Sequence, residues 1–252
     1  MAFGNADPRT AASRGQSGAL FDAGLRAYML KVYNYMGLGL LITGVVAFVV
    51  SQMATVTNEA GQIIALTSLG ETLFMSPLKW VVMLAPLGLV FFFSARLQKM
   101  SVVGAQTLFW VFAAAMGLSL ATIFMVYTQE SIAAVFFITA TTFGAMSLYG
   151  YTTKKSLAAW GSFLFMGLIG IVIAMVVNIF LQSSAMQFAI SVIGVLVFVG
   201  LTAYDTQRIK ESYSVHMNSE MAAKGAIHGA LRLYLDFINL FVMLLSLFGN
   251  NR

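Results

Sequence analysis

The chain has 252 residues, of which 60% are hydrophobic and 9% are charged, with a formal net charge of +5. Soluble domains carry about 25% charged residues, so these few charges cannot cover a globule of this size in water. The sequence contains no cysteine, which excludes disulfides, thiol nucleophiles and Cys-ligated metals. The composition indicates an integral membrane protein.

The N-terminal segment is polar up to about residue 27 and carries Arg9, Arg14 and Arg26. It lacks the apolar core, followed by a small-residue cleavage site, that is typical of a cleaved signal peptide. We expect a disordered cytoplasmic tail over residues 1–27 and a single membrane domain over residues 28–250.

Seven apolar stretches follow, each close to the ~20 residues that a helix needs to cross the hydrocarbon core of a bilayer. Their backbone groups must be satisfied within each segment, and the runs are too long and too unalternating for barrel strands. The predicted fold is therefore an all-α bundle of seven transmembrane helices. The stretches cover residues 29–52, 78–97, 102–127, 131–151, 157–181, 186–205 and 230–249.

The distribution of Lys and Arg predicts the orientation. Basic residues flank the first stretch on its N-terminal side and follow the second, fourth and sixth stretches, whereas the other connections lack them, apart from Lys79. Because cytoplasmic loops are enriched in Lys and Arg, we expect a cytoplasmic N-terminus and an external C-terminus. The basic residues are scattered rather than clustered, so nucleic acid is not an expected partner.

Small residues recur within the first and fourth stretches, at Gly37, Gly39 and Gly44 and at Ala140 and Gly144. Small residues let transmembrane helices approach closely. We interpret these positions as helix-packing contacts.

Two of the nine acidic residues, Asp205 and Asp236, lie at the facing ends of the sixth and seventh stretches. A carboxylate at membrane depth costs roughly 2.5–3.5 kcal/mol, so such groups usually face a protein interior or an ion path. The connection over residues 206–229 would place both at similar depth in an antiparallel helix pair. Asp205 would also lie near a helix C-terminus, where the helix dipole disfavours an anion.

Two partly desolvated carboxyl groups a few ångströms apart cannot both ionise cheaply, so they share one proton. Such a pair would sense pH, and in its ionised form it would offer oxygen ligands to a hard cation such as Ca²⁺ in transit. On the seventh helix, Asp236, Asn239, Met243 and Ser246 form a partly polar stripe, which suits a position inside the bundle.

Ordinary ion pairs are the alternative interpretation: Asp236 with Arg232 one turn earlier, and Asp205 with Arg208. Arg96 ends the second stretch on the same side. It is either a third partner for the carboxyl pair or a snorkelling anchor.

The remaining polar residues point to no enzyme. His216 and His228 fall in the connection over residues 206–229 and are expected to be loop residues, with pH sensing as the alternative role. The sequence has no metalloprotease, serine-hydrolase or phosphate-loop motif. The glycines expected beside the aspartates of an intramembrane protease are absent, as is a lysine for retinal in the last stretch. We expect neither catalysis nor a cofactor.

Two segments resemble the Bax inhibitor-1 family, also called the transmembrane Bax inhibitor motif family, in its YccA-like bacterial branch. They run from Ala203 to Lys210 and from Leu233 to Phe241. The segment from Gly117 to Ser119 and the segment from Thr139 to Lys155 support the resemblance, which covers residues 25–249.

The resemblance implies a seven-helix bundle with the last helix near its centre, in the bacterial cytoplasmic membrane. It further implies a pH-sensitive calcium leak gated by an aspartate pair, which falls by motif on Asp205 and Asp236. The family's latch arginine maps loosely to Arg96 or Lys99. Arg208, Arg232 and Asn239 are further candidates for latch or pore-lining residues.

One departure concerns the second stretch. Some relatives carry an acidic residue there, and the segment Ala85-Pro86-Leu87-Gly88 has none. The alternative function implied by the resemblance is a non-conducting regulator that binds membrane proteins such as a membrane-anchored AAA protease. The tail over residues 1–27 would then be its handle. The expected partners are the lipid bilayer, calcium ions and this protease.

Overall fold

A computed structural model describes residues 8–59 and 62–251, with side chains from residue 22 onwards. The first helix begins at Pro8. Of the tail predicted over residues 1–27, residues 1–7 lie outside the described residues, and residues 8–27 form the first part of this helix.

Within the described residues, seven helices are long and apolar enough to cross a membrane, which confirms the predicted number of spans and the all-α class. Each begins within a few residues of its predicted span except the first and the last. They are α1 (Pro8–Ala54), α2 (Leu78–Arg96), α3 (Val102–Leu120), α4 (Gln129–Thr152), α5 (Ala158–Leu181), α6 (Ser184–Ser212) and α7 (Ser219–Phe248).

The starts of four of these helices are set by side chains that cap exposed backbone N–H groups. Ser101, Thr128 and Ser183 accept from the backbone three residues on, at 3.1 to 3.3 Å. Asn218 caps α7 by accepting from Met221 N at 2.7 Å.

A small hairpin joins α1 to α2. Strand β1 (Thr55–Thr57) pairs antiparallel with β2 (Ile63–Leu66), and Thr55 lies opposite Leu66. Short helical turns over Ser68–Gly70 and Glu71–Met75 complete the connection. The β-branched residues of this segment favour strands. The sequence analysis predicted no strand here.

The last helix is the most enclosed of the seven. In its most apolar stretch 61% of residues are buried, against 11% in α5. It packs against α1, α3, α4 and α6. A helix with large apolar residues on most of its faces must be covered on those faces. Tyr234, Leu233 and Leu240 are each fully buried.

The predicted boundaries between α6 and α7 were wrong. Only residues 213–218 separate the two helices, whereas the prediction was a connection over residues 206–229. Hydropathy detects the part of a helix that lies in hydrocarbon, and both helices continue beyond it. His228 is therefore a half-buried residue of α7, not a loop residue, whereas His216 does lie exposed in the connection.

This correction removes one argument about Asp205. The residue lies seven positions before the end of α6 at Ser212, which is about two turns. The helix dipole acts within the last turn only, so it does not disfavour an anion at Asp205.

The small residues of α1 and α4 do not share one role. A Cβ added at Gly39 would lie 2.9 Å from the Phe109 ring and 3.4 Å from the Tyr234 ring, so this glycine does permit close packing. A Cβ at Gly37, Gly44 or Gly144 would meet nothing within 4 Å. The packing interpretation is wrong for those three positions.

Candidate functional site

The two acidic side chains singled out in the sequence meet between α6 and α7. Asp205 and Asp236 are each only 5% exposed, and their carboxyl groups lie within hydrogen-bonding range of each other. Asp205 Oδ1 and Asp236 Oδ2 are buried and find no hydrogen-bond donor among the described residues. Ionised carboxyl groups only accept hydrogen bonds, so such a pair lacks the donor that a shared proton would supply.

One guanidinium serves this pair of carboxyl groups. Arg232 Nη2 lies 2.8 Å from Asp205 Oδ1, and the Arg232 side chain is 34% exposed. The contact is close but too poorly directed for a hydrogen bond, since the same oxygen has no donor in line with it. Arg232 lies on α7 and Asp205 on α6, so the ion pair ties the two helices together.

The alternative of two local ion pairs is wrong in its pairing. Arg232 reaches across to Asp205 rather than along its own helix to Asp236. Arg208 donates from Nη1 to the Tyr204 hydroxyl at 2.7 Å, on the same helix. Within the described residues, Asp236 has no ion pair of its own, so one cation faces two acids.

The residues next to Asp205 fasten α6 to α4. Thr206 Oγ1 lies 2.9 Å from Ser147 Oγ, which lies 2.6 Å from the Tyr33 hydroxyl on α1. Lys210 Nζ donates to Tyr151 O at 2.7 Å. The hydroxyl groups of Thr206, Ser147 and Tyr33 thus form a chain that links α6 through α4 to α1.

Gln207 holds the connection between α4 and α5. Its Oε1 accepts from Leu157 N at 2.7 Å, and its Nε2 donates to Lys155 O at 2.9 Å. The side chain is 5% exposed. The segment around Asp205 is thus fixed to α4 and to the connection between α4 and α5, and α7 is its third contact.

Tyr234 fixes the α7 side of the site. Its hydroxyl lies 2.6 Å from Thr43 Oγ1, which donates to Ala113 O at 2.8 Å. Its ring meets Phe112 edge-on at 5.3 Å. The sequence analysis missed Tyr234, Thr206 and Gln207. Two signals could have found them: they are polar groups at the acids inside apolar stretches, and they lie within the two segments that carry the family resemblance.

The other predicted site residues lie apart from the carboxyl pair or are otherwise engaged. Asn239 is half-buried and donates to Leu235 O of its own helix at 2.8 Å. Arg96 is exposed, with its guanidinium 6.0 Å from the Phe92 ring centre. Neither Arg96 nor Lys99 forms an ion pair within residues 22–59 and 62–251.

The two carboxyl groups alone supply too few ligands for a resident calcium site. Calcium takes six to eight oxygen ligands. No cluster of three or more His, Cys, Asp or Glu side chains occurs where the structure is described. Two carboxyl groups can at most assist a cation in passing.

A cavity of about 640 Å³ lies beside the pair, where α6 ends and α7 begins. Arg232 lines it, so the guanidinium stands between this space and Asp205. The Arg208 and His228 side chains line the same cavity, together with Tyr28 of α1 and with Leu97 just beyond the end of α2.

Comparison with known proteins identifies a family along nearly the whole chain. Residues 25–252 match the family described as inhibitor of apoptosis-promoting Bax1. The inner membrane protein YbhL of Escherichia coli K12 is 48% identical over 234 residues, covering 91% of this chain and 94% of its own. The uncharacterized protein RP147 of Rickettsia prowazekii is 47% identical, covering 92% and 93%. The uncharacterized membrane protein SpyM3_0260 of Streptococcus pyogenes is 36% identical, covering 91% and 95%.

Proposed function

From the premise that this chain belongs to the Bax inhibitor-1 family, we propose that it is a pH-sensitive cation leak, conducting calcium across the bacterial inner membrane. The observation that carries the proposal is the buried pair of Asp205 and Asp236, for which Arg232 forms the one ion pair within the described residues. The chain is an integral protein of the bacterial inner membrane, as the name of YbhL states for that relative.

The closed state contains one proton between the two carboxyl groups. Asp236 Oδ2 lacks a donor and forms no ion pair, so it can hold that proton or accept it in a hydrogen bond from Asp205. With one proton, the pair carries a single negative charge, which Arg232 balances. The interface between α6 and α7 is then neutral.

Loss of the proton opens the path. Two ionised carboxyl groups about 4 Å apart repel each other by about 4 kcal/mol at the effective dielectric of a partly wet site. One guanidinium cannot neutralise both, so the repulsion separates α6 from α7 where they are joined. The same two groups then present oxygen ligands to a cation entering from the cavity.

We infer the remaining geometry from the bundle. The enclosure of α7 by four helices supports a position near the axis. The basic residues at the end of the bundle where α6 meets α7 support a cytoplasmic location for that end. The cavity is therefore an inner mouth, and the N-terminus lies on the same side.

Calcium flux into liposomes, measured as a function of pH, tests the proposal. Asp236→Asn keeps the volume but cannot ionise, so flux should stay at its low-pH value throughout. Glu130→Gln removes an exposed carboxylate at the start of α4 and is the matched control. If Asp236→Asn conducts with the same pH dependence as the intact chain, the aspartate switch is refuted.

A non-conducting regulator of a membrane-anchored AAA protease is the second candidate. The observation that favours it is the length of α1, whose 47 residues span about 70 Å, against ~30 Å of hydrocarbon. Its first turns therefore project beyond the membrane and offer a surface to a partner. Deleting residues 1–27 should abolish co-purification of the protease and leave flux unchanged, whereas the leak alone predicts no such partner.

A further inference from the structure

The cavity at the inner mouth has a charge that suits an anion. Three cationic side chains line it, from Arg208, Lys224 and Arg232, and His228 adds a fourth nitrogen group. Glu220 is the one acidic side chain among the residues that line it. The first residues of α7 also contribute to the wall, and the N-terminus of a helix carries partial positive charge.

Each of the three cationic side chains has a partner that restrains it. Lys224 Nζ lies 2.8 Å from Glu220 Oε1 and donates to Gln98 O at 3.5 Å, and its side chain is 15% exposed. Arg232 is anchored by Asp205 and Arg208 by the Tyr204 hydroxyl. Held in this way, they lose less side-chain freedom when a ligand binds.

Neutral hydrogen-bonding groups complete the wall. The cavity is also lined by Ser94, Gln98, Ser212 and Asn218. Its volume of about 640 Å³ exceeds what a bare oxyanion needs and falls in the range of about 300–1,000 Å³ typical of small-molecule sites. A wall of cations with hydroxyl and amide groups is the surrounding that proteins offer to phosphate oxygens.

We propose that this cavity binds a phosphate-type oxyanion between the start of α7 and the ends of α2 and α6, with Lys224 and Arg232 as its principal ligands. Free phosphate from the cytoplasm and the phosphate of an anionic lipid headgroup share this chemistry. The site shares Arg232 with the carboxyl pair, and its occupancy does not require that the protein conduct.

Occupancy would act on the carboxyl pair through Arg232, a consequence that rests on the proposed function. An anion on the cavity side competes with Asp205 for the same guanidinium. Binding therefore weakens the link between α6 and α7, and by thermodynamic reciprocity a weaker link strengthens binding. The anion also neutralises cations that would repel calcium at the mouth.

Phosphate binding to the full-length protein tests the site. The protein is placed in phosphatidylcholine nanodiscs, and inorganic phosphate is titrated by calorimetry against chloride at constant ionic strength. In a second arm, native mass spectrometry measures retention of phosphatidylglycerol in nanodiscs without free phosphate. The first arm detects a free anion and the second a lipid headgroup.

Three variants are expected to change the affinity for phosphate in three different ways. Lys224→Gln should weaken binding about tenfold, because a charge-assisted contact is lost. Glu220→Gln should tighten binding about threefold, because it removes the one acidic side chain among the residues that line the cavity. Lys154→Gln removes an exposed lysine that does not line the cavity and should change nothing.

Two results would overturn the site: no saturable binding in either arm, or equal weakening by Lys224→Gln and Lys154→Gln. If Lys224→Gln does not fold, the tightening by Glu220→Gln remains the deciding measurement. Asp205→Asn tests the coupling and should tighten binding by freeing Arg232; unchanged affinity would refute the coupling. Because none of these measurements uses flux, failure of the anion site is distinguishable from failure of the leak.

Discussion

The two ends of the interface between α6 and α7 are held together by different kinds of interaction, neutral at one end and charged at the other. At the start of α6 and the end of α7, which the proposed orientation makes the outer end, Ser191 Oγ donates to Ser246 Oγ at 3.0 Å, and Gln187 Nε2 lies 3.3 Å from the same oxygen. These groups are neutral and satisfied. At the inner end, two acids face one guanidinium, and two buried oxygens lack donors.

The chain beyond α7 reinforces this contrast. Asn250 accepts from Thr128 N at 3.0 Å and donates to Ser131 Oγ at 2.9 Å, so the outer end of α7 is tied to the start of α4. The inner end has no equivalent neutral link between α6 and α7 within the described residues. Helix α7 is therefore fixed by neutral hydrogen bonds at its outer end and held by balanced charge at its inner end.

The largest effect should come from removing the cation at the inner end. Arg232→Gln leaves Asp205 buried without its partner, and breaking a buried ion pair costs about 3 kcal/mol or more. Thermal unfolding in detergent should show a large fall in stability. Adding Asp205→Asn to the same chain should restore most of it, since the unpaired charge is then gone. A double variant as unstable as the single one would contradict the charge-balance account.

The next effect is a response to pH that is confined to one end. The shared proton is present at low pH, so the stability that it gives is complete there and is lost as the pH rises and the pair ionises. Hydrogen exchange should therefore accelerate with pH around residues 213–224, beyond its intrinsic chemical dependence. Residues 242–248 should show no such excess, and Asp236→Asn should remove it.

A smaller effect is expected from the neutral outer end. Ser246→Ala removes an acceptor from Ser191 and should cost about 1 kcal/mol, the usual net value of one hydrogen bond. The pH dependence of calcium flux should be unchanged. An altered pH dependence in this variant would mean that the two ends are not independent.

The smallest effect is expected at the rim of the inner cavity. Lys224 pairs with Glu220, whose side chain is 59% exposed. Exposed pairs of this kind contribute about 0–1 kcal/mol. Glu220→Gln should thus leave the unfolding temperature nearly unchanged, which distinguishes an exposed ion pair from the buried one formed by Arg232.

Much of the fold could be read from the sequence because lipid imposes strict rules. Hydropathy located all seven spanning helices, and the two aspartates stood out because acids are costly inside apolar runs. Hydropathy could not locate helix ends outside the hydrocarbon, so the start of α7 at Ser219 was missed. The cap at Asn218 was a usable signal that an apolar-run search ignores.

Partner choice at the site lay beyond sequence spacing. Arg232 and Asp236 are four residues apart on one helix, which favours a local pair. The actual partner, Asp205, depends on how α6 and α7 rotate against each other, and that rotation is set by packing over their whole length. The same holds for the empty space beside Gly44 and Gly144, where an added Cβ would meet no atom within 4 Å. A glycine pattern does not reveal whether a neighbouring helix is present.

The central claim is that Asp205 and Asp236 share one proton and lose it as the channel opens. Infrared difference spectroscopy of the reconstituted protein measures this directly through the carbonyl band of a protonated carboxyl group. We predict a band that disappears as the pH rises, in step with calcium flux, and that is absent in Asp236→Asn. A protein that conducts with no such band at any pH, or with a band that Asp236→Asn leaves unchanged, would contradict the account.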